Sequence, residues 1–164
     1  MYKLWLSVFG AGFSPLIPGT CGSAVVTVLF LLLLLLGTGP LPLLLVLLAV
    51  AIHGAVVTVL FGDRAIAQYG QDPSMIVSDE QCGQAVTYLW LWSFTNGTAE
   101  KITITLAGFI LFRFFDILKP PPVRQLEKVK GAWGVLLDDI MAGIYAGVVL
   151  QICYHLGLFS ELYT

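Results

Sequence analysis

The chain has 164 residues, of which 58% are apolar and only 11% are charged, with a formal net charge of -2. Soluble domains carry roughly 25% charged residues, so this composition excludes a soluble enzyme and indicates an integral membrane protein. The apolar runs are continuous, whereas the strands of a membrane barrel alternate apolar and polar residues, so we expect helices. The length predicts one domain over residues 1–164.

The first apolar run, residues 24–36, follows a segment rich in helix breakers and hydroxyl groups. Residues 14–23 read SPLIPGTCGS, which predicts a helix start capped by Thr20 or Ser23. Free backbone N–H groups, glycines and hydroxyls at a helix start also suit a phosphate group, and both interpretations stay open on this pattern alone. The apolar run spans only about 20 Å as a helix, so the segment is tilted, re-entrant or extended at its start.

The second apolar run, residues 41–61, is about 30 Å long as a helix and can cross a bilayer. We interpret His53, inside this run, as a hydrogen-bonded interior histidine rather than a catalyst. A polar connector over residues 62–80 follows and ends in the adjacent acids Asp79 and Glu80.

The next part of the chain predicts a helical hairpin. A short aromatic-rich run, residues 83–94, and a turn signal at Asn96-Gly97 lead into a helix over residues 102–118. Arg113 and Asp116 stand three positions apart near the end of that helix, so they share one face.

A basic loop and a last apolar helix complete the chain. The loop begins with Lys119 and three prolines, which stop the preceding helix, and it contains Lys130. Asp138 and Asp139 then open an apolar helix of about twenty residues, and ionisable groups at membrane depth are costly enough to indicate function. Gly143 and Gly147 form a GxxxG pattern, which we interpret as helix packing.

Together these runs predict an all-α polytopic membrane protein with about four to five transmembrane helices, some of them short or re-entrant. The five candidate crossings are residues 22–36, 41–61, 80–95, 101–118 and 137–159. With all five, one side of the membrane receives most of the Lys and Arg residues and the other receives only Lys101, so the basic side is cytoplasmic. The acids on the two sides of the hairpin share one membrane face only if the run over residues 80–95 crosses.

The charged groups on that face predict phosphoryl chemistry on a substrate that arrives in the membrane. Carboxylates that converge near a low-dielectric boundary repel one another unless a cation neutralises them. Mg²⁺ favours oxygen ligands and completes its shell with substrate phosphate. The predicted metal ligands and catalytic acids are Asp79, Glu80, Asp116, Asp138 and Asp139. The groups that we expect around the phosphate are Ser14, Thr20, Ser23, Arg113, Lys119 and Lys130.

Three other interpretations compete with this one. Arg113 could simply pair with Asp116, while Asp138 and Asp139 are solvated at a helix start where acids suit the dipole. Intramembrane acids also mark ion pathways, so a small ion-coupled transporter is an alternative, although the charges here stop at one face. A non-catalytic helical partner subunit is the third, and it would tolerate substitution of the acids.

Four ordered motifs resemble the phosphatidylglycerophosphatase A family. Residues 14–23 resemble its SPxxPGTxGS opening, and residues 72–83, DPSMIVSDEQCG, resemble DPxxIVxDExxG. Residues 112–120, FRFFDILKP, are similar to FRxFDxxKP, and residues 130–139, KGAWGVLLDD, match KGGxGVMxDD with Ala132 in place of the second glycine. The resemblance covers about residues 8–150, and its departures are apolar or small.

The resemblance implies a Mg²⁺-dependent phosphatase of the bacterial inner membrane. The distribution of Lys and Arg then predicts that its active site faces the cytoplasm. Its substrate would be phosphatidylglycerophosphate, which loses its terminal phosphate to give phosphatidylglycerol in phospholipid biosynthesis. The expected partners are this phospholipid and membrane lipids, and no nucleic acid.

Overall fold

The computed structural model describes residues 1–70, 73–91 and 97–159. This part of the chain is helical and contains no strand, so the all-α prediction is confirmed. The helices are α1 (Tyr2–Leu6), α2 (Pro18–Leu35), α3 (Pro40–Tyr69), α4 (Ser78–Tyr88), α5 (Thr98–Leu118), α6 (Val123–Leu126) and α7 (Ala132–His155), with one 3-10 turn at Ala11–Phe13. Asp72, which begins the second motif, and Asn96, in the predicted turn, lie outside the described residues.

Three helices in the described ranges are long and apolar enough to cross a membrane, namely α2, α3 and α7. Helix α5 has a similar length, with 21 residues, but carries charged residues near both ends. Helix α4 has 11 residues, which is about 16 Å along its axis. The expectation of four to five crossings therefore stays a prediction for α4 and α5.

Helix α4 lies at the centre of the bundle, in contact with α2, α3, α5 and α7. All of its residues except Glu80 and Val86 are buried. Tyr88 joins three of the helices, because its ring stacks on Phe30 of α2 at 4.0 Å between centroids and its hydroxyl donates to the carbonyl of Thr105 of α5 at 2.7 Å. A polar sequence such as that of α4 is stable at this depth because its neighbours exclude lipid.

The contacts give the helix directions. The start of α2 lies against the start of α4 and the late part of α5, since Gly19 is next to Glu80 and Arg113. The late part of α3 lies against the start of α7, where Gly62 is next to Ala132. Helices α2, α4 and α7 therefore run one way and α3 and α5 the other. The starts of the first three and the ends of the other two form one end of the bundle, which we call the acidic end.

Small residues let α4 and α7 approach closely. A Cβ atom on Gly83 would lie 2.5 Å from the carbonyl oxygen of Asp139, and one on Gly143 would collide with the carbonyl oxygen of Gly83. Gly147 lies against the indole of Trp90. The interpretation of the GxxxG pattern as a packing surface is confirmed.

Two local predictions were wrong. Neither Thr20 nor Ser23 caps α2, because the helix begins at Pro18 after Ile17 and has no side-chain cap; proline suits the first helical position, where its fixed φ and missing N–H cost nothing. The predicted connector over residues 62–80 is partly helical, because α3 continues to Tyr69. Gly62 and Ala65 are buried in this last part of α3, and their packing stabilises the helix through a polar sequence.

Candidate active site

Three carboxylates from two helices converge at the acidic end. Asp79 and Glu80 lie in the first turn of α4 and Asp139 in the second turn of α7, and one oxygen from each lies within 4.8 Å of the others. The close approach of Gly83 to the carbonyl oxygen of Asp139 places α4 against α7 beside these acids. Asp79 and Asp139 are both only 4% exposed, so their negative charges gain little screening from water and repel one another. This carboxylate cluster could hold a metal ion.

Asp138 faces a different partner from its neighbour Asp139. Its Oδ2 accepts a hydrogen bond from Nζ of Lys119 at 2.8 Å, and the same ammonium donates to Oε1 of Glu127 at 2.8 Å. Adjacent residues on a helix point about 100° apart, which explains why the two acids divide between two sets of contacts. The other oxygen of Asp138, Oδ1, is buried and has no hydrogen-bond partner among the described residues.

Lys119 remains charged under physiological conditions. Burial alone would lower the pKa of Lys119, but the hydrogen bonds to Asp138 and Glu127 outweigh it and raise the pKa above the usual 10.5. A raised pKa in the folded state means that the stabilisation from the Lys119 charge is present at neutral pH and is lost as the pH rises above 10.5 through the folded-state value. Lys119 is therefore a fixed positive charge at neutral pH.

Arg113 brings a second positive charge to the site. Its Nη1 lies 2.6 Å from Oδ2 of Asp116, one turn further along α5, so the expected pairing of these residues is present. Its Nε is buried and has no hydrogen-bond partner within the described ranges, so a donor is left for another acceptor. Gly19 of α2 lies directly beside this guanidinium and Glu80, and a side chain at that position would collide with the Glu80 carboxylate.

The five predicted acids line one cavity of about 110 Å³, which is large enough for several water-sized groups. The lining residues are Asp79, Glu80, Asp116, Lys119, Glu127, Val135, Asp138 and Asp139. The five acids come together at this cavity, whereas the crossing of residues 80–95, on which sequence reasoning made a shared membrane face depend, stays a prediction. Six carboxylates against Lys119 and the nearby Arg113 leave the cavity strongly negative.

The residues expected around the phosphate do not all lie at the acidic cavity. Thr20, in the first turn of α2 beside Gly19, is half-buried, whereas Ser23 is fully buried and its hydroxyl donates to the Gly19 carbonyl at 2.9 Å. Ser14 lines a separate cavity near Lys3. Lys130 is exposed and is not among the residues that line the acidic cavity.

Sequence reasoning missed two acids with roles at this end. Glu127 holds Lys119 from the loop after α6, and its position inside a basic loop was the only available signal. Asp63 of α3 accepts a hydrogen bond from the backbone N–H of Ala132 at 2.8 Å and so caps α7. No local pattern reveals that cap, because the two residues are 69 positions apart.

A family model described as Phosphatidylglycerophosphatase A matches residues 4–154. The chain belongs to this family. It is 32% identical over 163 residues to the phosphatidylglycerophosphatase A of Escherichia coli, covering 93% of this chain and 84% of that protein. It is 33% identical over 143 residues to the protein of the same name from Haemophilus influenzae, covering 87% and 82%. A Bacteroides thetaiotaomicron protein that is provisionally named a phosphatidylinositol-3-phosphatase is 32% identical over 151 residues, covering 88% and 87%.

No solved structure matches the chain significantly. Membership of the phosphatidylglycerophosphatase A family makes the chain a phosphatase enzyme. The transporter and the non-catalytic subunit are not favoured beside this result, and the three long apolar helices are consistent with a membrane protein.

Proposed function

We propose that this phosphatase hydrolyses the terminal phosphomonoester of phosphatidylglycerophosphate with Mg²⁺, giving phosphatidylglycerol and phosphate. The observation that carries the proposal is the carboxylate cluster of Asp79, Glu80 and Asp139, with Lys119 and Arg113 nearby. The names of the Escherichia coli and Haemophilus influenzae relatives support the substrate.

The cluster fits a hard divalent cation. Its donors are all carboxylate oxygens, which Mg²⁺ prefers over nitrogen or sulfur, and its excess negative charge is costly without a cation. Asp79, Glu80 and Asp139 would hold the ion, with Asp116 and Asp138 lining the same cavity. Bound Mg²⁺ would supply charge neutralisation for the phosphate and a lowered pKa for a coordinated water.

The phosphate group is held by the positive groups that border the cavity. The Arg113 guanidinium, whose Nε has no hydrogen-bond partner among the described residues, and the first turn of α2 at Gly19 lie beside Glu80. Backbone N–H groups at a helix start and a guanidinium both bind phosphate oxygens well. Lys119 lines the same cavity as Glu80 and neutralises charge that develops on the phosphoryl oxygens.

Asp138 accepts the proton of the attacking water in this proposal. Its Oδ2 is held by Lys119, while its Oδ1 is buried without a partner among the described residues. A carboxylate that is fixed by one oxygen and free at the other is well placed for general base catalysis.

The acidic end faces the cytoplasm of a bacterial inner membrane in this proposal. Lys119 and Lys130 lie at or near that end, together with Arg64 of late α3, whereas Lys101 bonds the last turn of α2 at the other end. This distribution follows the positive-inside rule.

The test is phosphate release from phosphatidylglycerophosphate by the purified protein in detergent, with EDTA and after Mg²⁺ is restored. We expect activity that chelation abolishes and Mg²⁺ recovers. Phosphatidylinositol 3-phosphate should be assayed in parallel, because one relative is named as a phosphatase of this lipid. A preference for phosphatidylinositol 3-phosphate would overturn the proposed substrate. Activity unaffected by both chelation and Asp139→Asn would overturn the metal proposal.

A further inference from the structure

An apolar groove of about 490 Å³ lies between α2 and α3, close to the carboxylate cluster. Its walls are Val25 and Leu29 of α2, and Val46 and Val50 of α3, while Trp5 at the N-terminus contributes another wall. Both helices are long and apolar enough to cross a membrane, so lipid is the expected neighbour of the groove. The lining also contains two polar side chains, His53 and Gln81.

The hydrogen bonds of Gln81 fix which nitrogen of His53 carries the proton. The Gln81 amide nitrogen lies 3.1 Å from the carbonyl oxygen of Val50 and 3.2 Å from Nδ1 of His53. Exchanging the amide oxygen and nitrogen would place two acceptors 3.1 Å apart, so the nitrogen donates to both partners. Nδ1 of His53 is then an acceptor, and Nε2 carries the hydrogen.

The groove therefore offers a polar end and an apolar body. Nε2–H of His53 is a donor that makes no hydrogen bond within the described part of the chain. Oε1 of Gln81, a residue 6% exposed, is an acceptor that likewise lacks a partner there. Buried or half-buried polar atoms on an apolar surface are costly unless a ligand satisfies them. These two atoms indicate an occupant that has a polar group at one point and a long apolar remainder.

The polar end lies at the level of the acidic cavity. Gln81 follows Glu80 directly in α4, and Gly19 of α2, which contacts Glu80, precedes the groove residues Val25 and Leu29 by about 9 and 15 Å along the helix axis. On α3, the groove runs about 10 Å from His53 to Val46. A lipid with its phosphate beside Glu80 would thus direct its chains along the groove.

We propose that this groove binds an acyl chain of the phospholipid substrate, with Nε2–H of His53 donating to the acyl ester carbonyl. The proposal rests on the proposed function, because it extends the site of phosphate hydrolysis to the apolar part of the same molecule. The polar end of the groove adjoins the acidic cavity, because Gln81 lines the groove and Glu80 lines the cavity. The occupant that this arrangement favours is therefore a chain of the lipid whose phosphate lies in that cavity.

The first test compares Val25→Phe with Val28→Phe, which is its control. Both valines are on α2 and are 46% and 55% exposed, but only Val25 lines the groove. We expect the kcat/KM for diacyl phosphatidylglycerophosphate, divided by that for its deacylated head group, to fall about tenfold in Val25→Phe and to stay at the wild-type ratio in Val28→Phe. Equal ratios in the two variants would overturn the proposal that the groove binds an acyl chain.

The second test addresses the hydrogen bond from His53. Wild-type protein should favour an ester-linked substrate over its ether-linked analogue by about threefold to tenfold, the effect of one ordinary hydrogen bond. His53→Phe should remove that preference, because an ether lacks the carbonyl acceptor. A preference that survives in His53→Phe would overturn the role of His53.

A third measurement separates this proposal from the proposed function. Protein in lipid nanodiscs is irradiated with phosphatidylglycerol whose acyl chain carries a diazirine, and the labelled peptides are mapped. We expect labelling around residues 25–29 and 46–50 in wild type and Val28→Phe, and its loss in Val25→Phe. If phosphatidylglycerophosphate is not hydrolysed but this labelling pattern is found, the proposed substrate is wrong and acyl-chain binding in the groove is supported. Uniform labelling of all three proteins would overturn acyl-chain binding in the groove.

Discussion

Two pairs of adjacent acids look equivalent in the sequence but have different environments. Asp79 and Glu80 open α4 and both join the carboxylate cluster, whereas on α7 only Asp139 joins it and Asp138 binds Lys119. The difference arises because α4 is enclosed by neighbouring helices, while α7 presents Asp138 to the Lys119 loop and Asp139 to α4. Adjacent acids on a helix should therefore be assigned separately, each from its own contacts.

Asp139→Asn is expected to have the largest effect on activity. Substitution of residues that only hydrogen-bond to the ligands of a metal lowers metal affinity or activity about 10–100-fold. Loss of a direct ligand should therefore lower kcat/KM at least about a thousandfold. The same change removes one of three mutually repelling carboxylates, so in EDTA the variant should melt at a higher temperature than wild type.

Phosphate release and thermal melting with and without Mg²⁺ check this prediction. Added Mg²⁺ should raise the melting temperature of wild type, because a ligand of the folded state stabilises it, but should have little effect on Asp139→Asn. Glu100→Gln is the matched control, since Glu100 lies in the first turn of α5 at the other end of the bundle. A Mg²⁺ response that is equal in all three proteins would contradict the assignment of the cluster.

Asp138→Asn should have a smaller effect, about a hundredfold on kcat, because the metal ligands remain and the proton acceptor and the Lys119 partner are weakened. Lys119→Met should also lower activity, and the double variant should lose less than the product of the two single effects. A double-mutant cycle on phosphate release measures this coupling. Strict additivity would show that the 2.8 Å contact between the two side chains has no role in catalysis.

The sequence was sufficient to predict the class of fold and to single out the five acids that line one cavity, because apolar runs and motif positions are local features. Their roles as metal ligands or catalysts stay a prediction. It could not show that Asp138 and Asp139 divide between two partners, because Lys119 and the start of α4 reach them only through tertiary packing. The cap from Asp63 to Ala132 was equally inaccessible. The wrong cap at Thr20 came from reading hydroxyl residues as caps when Pro18 had already started the helix.

Gly83→Ala tests whether the two acid pairs depend on close contact between α4 and α7. The new methyl group would lie 2.5 Å from the carbonyl oxygen of Asp139 and 2.6 Å from the ring of Phe112, so the helices must separate slightly. Overpacking of this kind costs about 1–3 kcal/mol, and we expect kcat/KM to fall about tenfold, since misplacement by 1 Å can cost about a hundredfold. Gly39→Ala, which meets only Pro42 at 3.9 Å, is the control. Melting curves and Mg²⁺ titrations should show weaker metal binding in Gly83→Ala alone.

Asp63→Ala should have the smallest effect and tests how the α7 pair is positioned. Its Oδ1 accepts the Ala132 N–H, and Ala132 begins the helix two turns before Asp138. Loss of a helix cap costs about 0.5–2 kcal/mol, so the melting temperature should fall while kcat/KM declines only a few-fold. Asp63→Asn keeps the acceptor oxygen and should restore most of the stability. If Asn is as damaging as Ala, the carboxylate charge and not the cap is what the start of α7 requires.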